Sequence, residues 1–454
     1  MTTNTSFDIT QPLPQGTVLL AASAGTGKTW TISAVCAKAI ATGLVHMENL
    51  LLVTFNRSAA RELIGRVYER LVNTRLLLAG AREPSDPCDW SLIRCGQAGL
   101  TRVESALDNF DRAVITTTHE FASRMLVELG VLSDHDPSSV LMTDLAPLAT
   151  EVSDDHYLAQ YLDCDRPPSV RDKRELSRDV AVKYGEVPIF SKDDADTPVQ
   201  DVLWALSVRE DVRRRSKSRS VHTFDDLIGD LVKALRDPYR GPLACATLAH
   251  RFGLVMVDEF QDTDPLQWEI LRRAFHGHSN LWLIGDPKQS IYAFRGADIH
   301  AYQDAAQSAS HVLHLDVNYR TDKPIVEAVN TLFSNAQLGH DISMELVTAH
   351  HQESRIKTAA TDGPRYHWSQ PFQIRCLQAP AGAQLNTATS DQFVTEDLVN
   401  QVIMMLEGGT VVQDGDGLRP LRPTDIAILV RTRRRGAELA TALSQAHQPA
   451  VFSG

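Results

Sequence analysis

Eight residues, Ala22 to Thr29 (ASAGTGKT), constrain this chain more than any other feature. They follow the apolar run Val18 to Ala22 and open a helical stretch from Lys28 to about Ala41. Gly25 and Gly27 free the backbone from Cβ clashes, so successive N–H groups can turn inward around an anion. The helix that begins there adds the positive end of its dipole. A strand running through a glycine loop into a helix is the opening of a strand-helix-strand unit, and such units are built on parallel sheets.

The same order recurs along the chain. Leu50 to Phe55 (LLLVTF) is a continuous apolar run, followed by Ala60, Leu63, Ile64, Val67 and Leu71 at helical spacing. Ala113 to Thr116 precedes a helix from His119, Leu254 to Val257 precedes Asp264 to Phe275, and Leu281 to Ile284 precedes Gly285. The expected fold is therefore α/β: a parallel sheet covered on both faces, with ligands at the carboxyl ends of its strands. From about Gly130 to Ser220 the rhythm breaks into Asp-, Ser- and Pro-rich stretches with helical patches between, which reads as an inserted helical subdomain.

From His311 the pattern resumes with HLDVNYR, a helix over Ile325 to Phe333, a loop-rich stretch, and then Phe372 to Leu377, Val394 to Leu406 and Ile426 to Val430. This suggests a second α/β domain, expected to be incomplete because the sequence stops soon after a helix over Ala437 to Ala446. A chain of 454 residues is too long for one core. The expected division is a first domain over 1–128, the helical insertion over 129–221, the return of the first domain over 222–308 and the second domain over 309–454.

The formal net charge of −12 argues against a protein that coats nucleic acid by bulk electrostatics, so any such contact must be local. The basic runs Arg213 to Arg219 and Arg431 to Arg435 read first as solvated faces or loops. Six scattered cysteines have no ligand spacing and read as reduced thiols. With neither a leader pattern nor an apolar stretch long enough to span a bilayer, the sequence reads as cytoplasmic, with no membrane partner.

ASAGTGKT fits the Walker A pattern, with Ala22 where Gly is commoner. Ala22, Ser23, Ala24, Gly25, Thr26 and Gly27 would cradle phosphates, Lys28 would reach the outer ones, and the Thr29 hydroxyl would meet Mg2+. Further on, the apolar strand in LVMVDEFQDTD ends in two carboxylates. At the end of a P-loop strand, Asp258 suits Mg2+ and Glu259 suits a general base that orients attacking water. Alone, an acidic pair is usually a decorated loop junction. Joined to the glycine loop, it points to hydrolysis.

At VDEFQDTDPLQ (Val257 to Gln267), IGDPKQSIYAFRGAD (Ile284 to Asp298) and LDVNYRT (Leu315 to Thr321), the sequence resembles the superfamily 1A, UvrD-like DNA helicases. LLVTFNRSAARELIGRV (Leu51 to Val67), TTTHEFASRML (Thr116 to Leu126) and TFDDLI (Thr223 to Ile228) are similar to other motifs of that family, in the same order. The opening FDITQPLPQGTVLLAASAGTGKTWTI lacks the upstream glutamine motif of UvrD-like enzymes and is more similar to the RecB subfamily.

That resemblance implies a P-loop NTPase fold of the RecA-like kind with a second, incomplete RecA-like domain, ATP and Mg2+, movement along single-stranded DNA in the 3′ to 5′ direction, unwinding of duplex DNA, and partner subunits of the RecC-like and RecD-like kinds. It implies that Gln289 senses the γ-phosphate, Arg320 acts as an arginine finger and Tyr319 stacks on adenine. On the DNA side it implies base stacking by Phe55 and Phe294, with Asn56, His119 and Arg295 near backbone or base edges. Phe294 stands where many relatives carry Trp.

The family's later motifs and RecB's nuclease carboxylates are not found after Arg431, so a truncated motor is expected. The competing readings are a non-catalytic ATP- and DNA-binding segment, or a stand-alone UvrD-type or AddA-type helicase. A P-loop ATPase or GTPase outside the helicases gives no reason for NYR or QSIYAFRG.

Overall fold

The computed structural model describes residues 5–133, 139–142, 144–182, 199–293, 296–339, 342, 344–358, 371–379, 386–415 and 417–452. It divides into two compact units, Met1–Leu315 and Asp316–Gly454.

The first unit begins with β1 (Thr5–Ser6) and β2 (Thr17–Ala22), and β2 passes through the glycine loop into α1 (Lys28–Thr42). β3 (Leu50–Thr54) leads to α2 (Arg57–Leu78), whose first turn is capped by Asn56 accepting from the Ala59 amide at 2.8 Å. After α3 (Pro87–Leu92) and α4 (Gly96–Asp108), β4 (Val114–Thr117) runs directly into α5 (Thr118–Leu129).

The insertion carries β5 (Val140–Leu141), the helices α6 (Ala146–Tyr161), α7 (Val170–Val182) and α8 (Val199–Ser218), and β6 (Val221–His222). It has its own core, in which Leu148, Ala149 and Val152 of α6 pack with Trp204, Val208 and Val212 of α8. The basic run at Arg213 to Arg219 ends α8, and there Arg215 and Arg219 both pair with Glu151 of α6. This part of the run ties two helices together.

The chain returns through α9 (Phe224–Arg236), started by a reciprocal Thr223 and Asp226 capping box, and α10 (Gly241–Arg251). Next come β7 (Leu254–Val257), α11 (Pro265–Ala274), β8 (Asn280–Gly285), α12 (Ile299–Ser308) and β9 (His311–Leu315). Seven strands form one sheet in the order β1-β9-β2-β8-β7-β3-β4, and every pairing in it is parallel.

Alternate residues of the central strands feed two cores. Val18, Leu20, Leu50, Leu52, Met256 and Trp282 pack on one face beneath α1 and α2. Leu19, Leu51, Val53, Val255, Leu281 and Leu283 pack on the other beneath α5, α9 and α11. Burial on both faces is why these strands are apolar without interruption.

Two expectations need correction. A boundary at 308/309 would cut off β9, but β9 is hydrogen-bonded between β2 and β1, so it belongs to the first unit, which runs to Leu315. In the second unit, Phe372 to Leu377 and Ile426 to Val430 form no strands. Neither run has a ladder partner among the described residues, and extended backbone without a partner is not sheet.

The second unit does contain β10 (Val317–Asn318) paired in parallel with β11 (Thr348–Ala349). It also has an antiparallel sheet of β12 (Ile356–Thr358), β13 (Thr410–Asp414) and β14 (Gly417–Pro420). Its helices are α13 (Lys323–Leu332), α14 (Thr387–Glu407) and α15 (Arg433–Gln445). Among the described residues, no helix of either unit is long and apolar enough to cross a membrane.

Candidate functional site

In the first unit, the candidate residues gather where a parallel sheet places ligands, at the carboxyl ends of its strands. β2 delivers the glycine loop, β7 delivers Asp258 and Glu259, and β8 delivers the segment leading to Gln289. β3 and β4, at one side of the same sheet, deliver Phe55, Asn56 and His119.

The loop after β2 has the backbone its sequence demands. Gly25 and Gly27 sit at φ of 81° and 88°, in the left-handed region that disfavours side chains. Thr26 locks the turn, its amide and hydroxyl donating to the Ser23 carbonyl at 3.2 and 2.7 Å. Gly27 is the N-cap of α1 and has no side chain to fill the capping position, so the helix N-terminus stays open to an anion.

The Lys28 ammonium donates to Glu259 Oε2 at 2.6 Å, closing the glycine loop onto the acidic strand end. Glu259 itself has a φ of 53°, uncommon for a residue with a side chain and the sort of local strain that collects at working sites. That turn carries the chain into a short helical turn over Phe260–Asp262.

Charge is concentrated here. Burial raises the Asp258 carboxyl to about 6, with the neighbouring Glu259 charge adding to the effect. Burial followed by Glu259 likewise raises Asp262 to about 6. Asp258, Glu259 and Asp262 crowd around the Lys28 ammonium, so a divalent cation would relieve the negative charge gathered there. The Thr29 hydroxyl and Asp258 carboxylate are hard oxygen donors suited to magnesium.

Sequence reasoning passed over Gln261 and Asp286. Gln261 Nε2 donates to Glu259 Oε2 at 2.8 Å, and its Oε1 accepts from the Asp286 amide at 2.9 Å. Asp286 in turn accepts from Gln289 Nε2 at 2.7 Å and pairs with Lys288 at 2.9 Å. The sequence signal was their place inside VDEFQDTDPLQ and IGDPKQSIYAFRGAD, which gives them no role, because the contacts depend on the turn at Glu259.

Beside this cluster, Phe55 lies against Tyr292, ring centroids 5.0 Å apart and planes inclined by 31°. Tyr292 was not singled out from sequence. His119 meets the Phe224 ring edge-on at 6.0 Å. Asn56 is exposed, and its side-chain oxygen is engaged in capping α2. Phe294 and Arg295 lie outside the described residues.

Tyr319 and Arg320 belong to the second unit. Tyr319 is half exposed and its ring lies 4.8 Å from that of His350. Arg320 is exposed, and its amide donates to Asn318 Oδ1 at 3.0 Å.

Residues 3–310 match the family model described as the UvrD/REP helicase N-terminal domain. RecBCD enzyme subunit RecB of Mycobacterium tuberculosis is 35% identical over 466 residues, an alignment that covers 99% of this chain and 41% of that protein. The RecB subunit of Mycolicibacterium smegmatis is also 35% identical, again over 99% of this chain and 41% of the relative. The Escherichia coli RecB subunit is 34% identical over 54% of this chain and 21% of its own length. The chain thus spans about two fifths of the mycobacterial relatives it matches.

Proposed function

The chain belongs to the UvrD/REP helicase family, and from that premise we propose that it is the ATP-driven motor segment of a DNA helicase. It tracks single-stranded DNA in the 3′ to 5′ direction and unwinds duplex DNA. It works in the cytoplasm within a RecBCD-like assembly, with RecC-like and RecD-like partners. The names of the mycobacterial relatives, which align with 99% of this chain over 41% of their own length, support that assembly.

One observation carries the hydrolytic reading: Lys28 of the glycine loop and Glu259 of the acidic strand end meet at 2.6 Å. A phosphate counter-charge and a carboxylate base must both reach the same phosphoryl group, and here they converge from β2 and β7. The residues from Ala22 to Thr29 hold the phosphates, and Lys28 neutralises the outer ones. Glu259 takes the proton of the attacking water, and Gln289 contacts the phosphoryl group that leaves. Thr29 and Asp258 would hold Mg2+, which when bound supplies charge neutralisation along the phosphates.

Tyr319 and Arg320 keep the roles the family suggests, adenine stacking and charge neutralisation during transfer. Phe55 and Phe294 offer stacking faces to bases, with Asn56, His119 and Arg295 contacting the strand beside them. In the same reading the helical insertion over 129–221 divides the first motor domain, and that domain includes β9.

The test is ATP hydrolysis by the purified chain with and without single-stranded DNA, alongside Glu259→Gln. Turnover that rises with DNA and disappears in the variant supports a motor. Nucleotide and DNA binding with no Glu259-dependent turnover would favour a non-catalytic binding segment.

A further inference from the structure

Glu259 sits at a φ of 53°. Its left-handed conformation turns the chain back on itself, and the Asp262 amide closes that turn by donating to the Glu259 carbonyl at 2.9 Å. The turn brings Gln261, 2% exposed, under the Glu259 carboxylate. Its amide donates to Glu259 Oε2 at 2.8 Å and accepts from the Asp286 backbone N–H at 2.9 Å. Its main-chain carbonyl accepts from the Ser290 hydroxyl at 3.1 Å.

We propose that Gln261 is a positioning residue for hydrolysis, its buried amide fixing the Glu259 carboxylate and tying it to the segment that carries Gln289. The proposal rests on the hydrolytic reading given above. The chemistry requires a neutral amide. A carboxylate at 261 could accept from Asp286 but would have no proton for Glu259, and an apolar side chain could do neither.

The connection continues in both directions. Glu259 reaches Lys28, while Asp286 accepts from Gln289, so the base and the γ-phosphate contact share one hydrogen-bonded chain. Buried networks of this kind fix geometry because any broken link leaves a polar group unpaired. Gln261 touches no reacting atom in this scheme. It acts through Glu259.

The experiment compares Gln261→Met, which keeps the length and loses both hydrogen bonds, with Gln261→Glu, which keeps the shape. Each is measured for DNA-stimulated ATP turnover and for binding of a fluorescent ATP analogue, alone and combined with Glu259→Gln. Turnover should fall about 10-fold or more in both single variants, while analogue affinity stays within about threefold of the parent. With Glu259 already replaced, Gln261→Met should cause no further loss, because the two residues act as one unit.

Parent-like turnover in both variants overturns the positioning role alone. So does a loss that multiplies on top of Glu259→Gln, since that marks general structural damage. If the parent shows no Lys28-dependent turnover, the hydrolytic reading falls and this role falls with it.

Discussion

The Lys28 ammonium and the Gln261 amide share a single oxygen of Glu259, at 2.6 and 2.8 Å. A phosphate group bound by Lys28 must therefore compete with Glu259 for the ammonium. Glu259→Gln removes that competing charge while keeping the shape, so this variant should bind a fluorescent ATP analogue at least as tightly as the parent. Its turnover should fall by about 10² or more, because the base is lost. Lys28→Ala should lose binding as well, since nothing replaces the cation. Weaker binding in Glu259→Gln would mean that Glu259 helps to hold nucleotide.

The second prediction concerns DNA. Phe55 and Tyr292 form a tilted aromatic pair beside the ends of β3 and β8, and a sequence-tolerant grip on single strands rests on such faces. Phe55→Ala and Phe294→Ala should each weaken binding of a labelled oligonucleotide by about 1 to 3 kcal/mol, read by anisotropy. Tyr292→Ala should weaken it too, because Phe55 would lose its neighbour. Parent-like affinity in Phe55→Ala would make that ring a packing residue only.

The parts of this structure that could be read from sequence are those encoded locally. Gly25 and Gly27 announce their loop because few other residues adopt its backbone, and β3 announces itself through five consecutive buried residues. Pairing is not local. The strand-helix pattern resumes near His311, but whether the strand there opens a second sheet or closes the first depends on β1 and β2, some 300 residues upstream. Phe372 to Leu377 has strand composition and lacks a partner among the described residues, which composition cannot reveal. Gln261 and Asp286 were missed for a similar reason. Their meeting requires the left-handed turn at Glu259, and nothing in EFQD encodes that turn in isolation.

A third prediction concerns pH. Glu269 accepts from Arg236 Nε at 2.8 Å and from Arg273 Nε at 2.7 Å, joining α9 to α11. The hydrogen bonds from Arg236, followed by those from Arg273, hold its carboxyl down at about 2, against a burial effect that opposes them. A depressed folded-state value means that stabilisation is present above the ordinary carboxylate value of 4.5 and is lost as pH falls toward about 2. With both arginines partly exposed, Glu269→Gln should cost about 1 to 2 kcal/mol at neutral pH. The difference in urea midpoint should shrink between pH 4.5 and 3. A difference independent of pH would show that packing, not charge, makes this contact.

The last prediction tests how tightly the site is built. Gly285 ends β8, and a Cβ there would lie 2.6 Å from Gln261 Oε1, 3.1 Å from the Gln261 amide nitrogen and 3.2 Å from that of Phe260. The amide oxygen can swing away, but only by giving up its bond to the Asp286 N–H. The two backbone nitrogens belong to the turn after Glu259 and have less freedom to move. Gly285→Ala should therefore cost about 1 to 3 kcal/mol of stability by overpacking and should also lower turnover by displacing the Gln261 amide from Glu259. Adding Gln261→Ala should return part of the stability by removing the worst contact, while turnover stays low because the link to Glu259 is still missing. Thermal unfolding and DNA-stimulated hydrolysis of the single and double variants separate the two effects. If the double variant recovered turnover along with stability, the defect in Gly285→Ala would lie in packing alone.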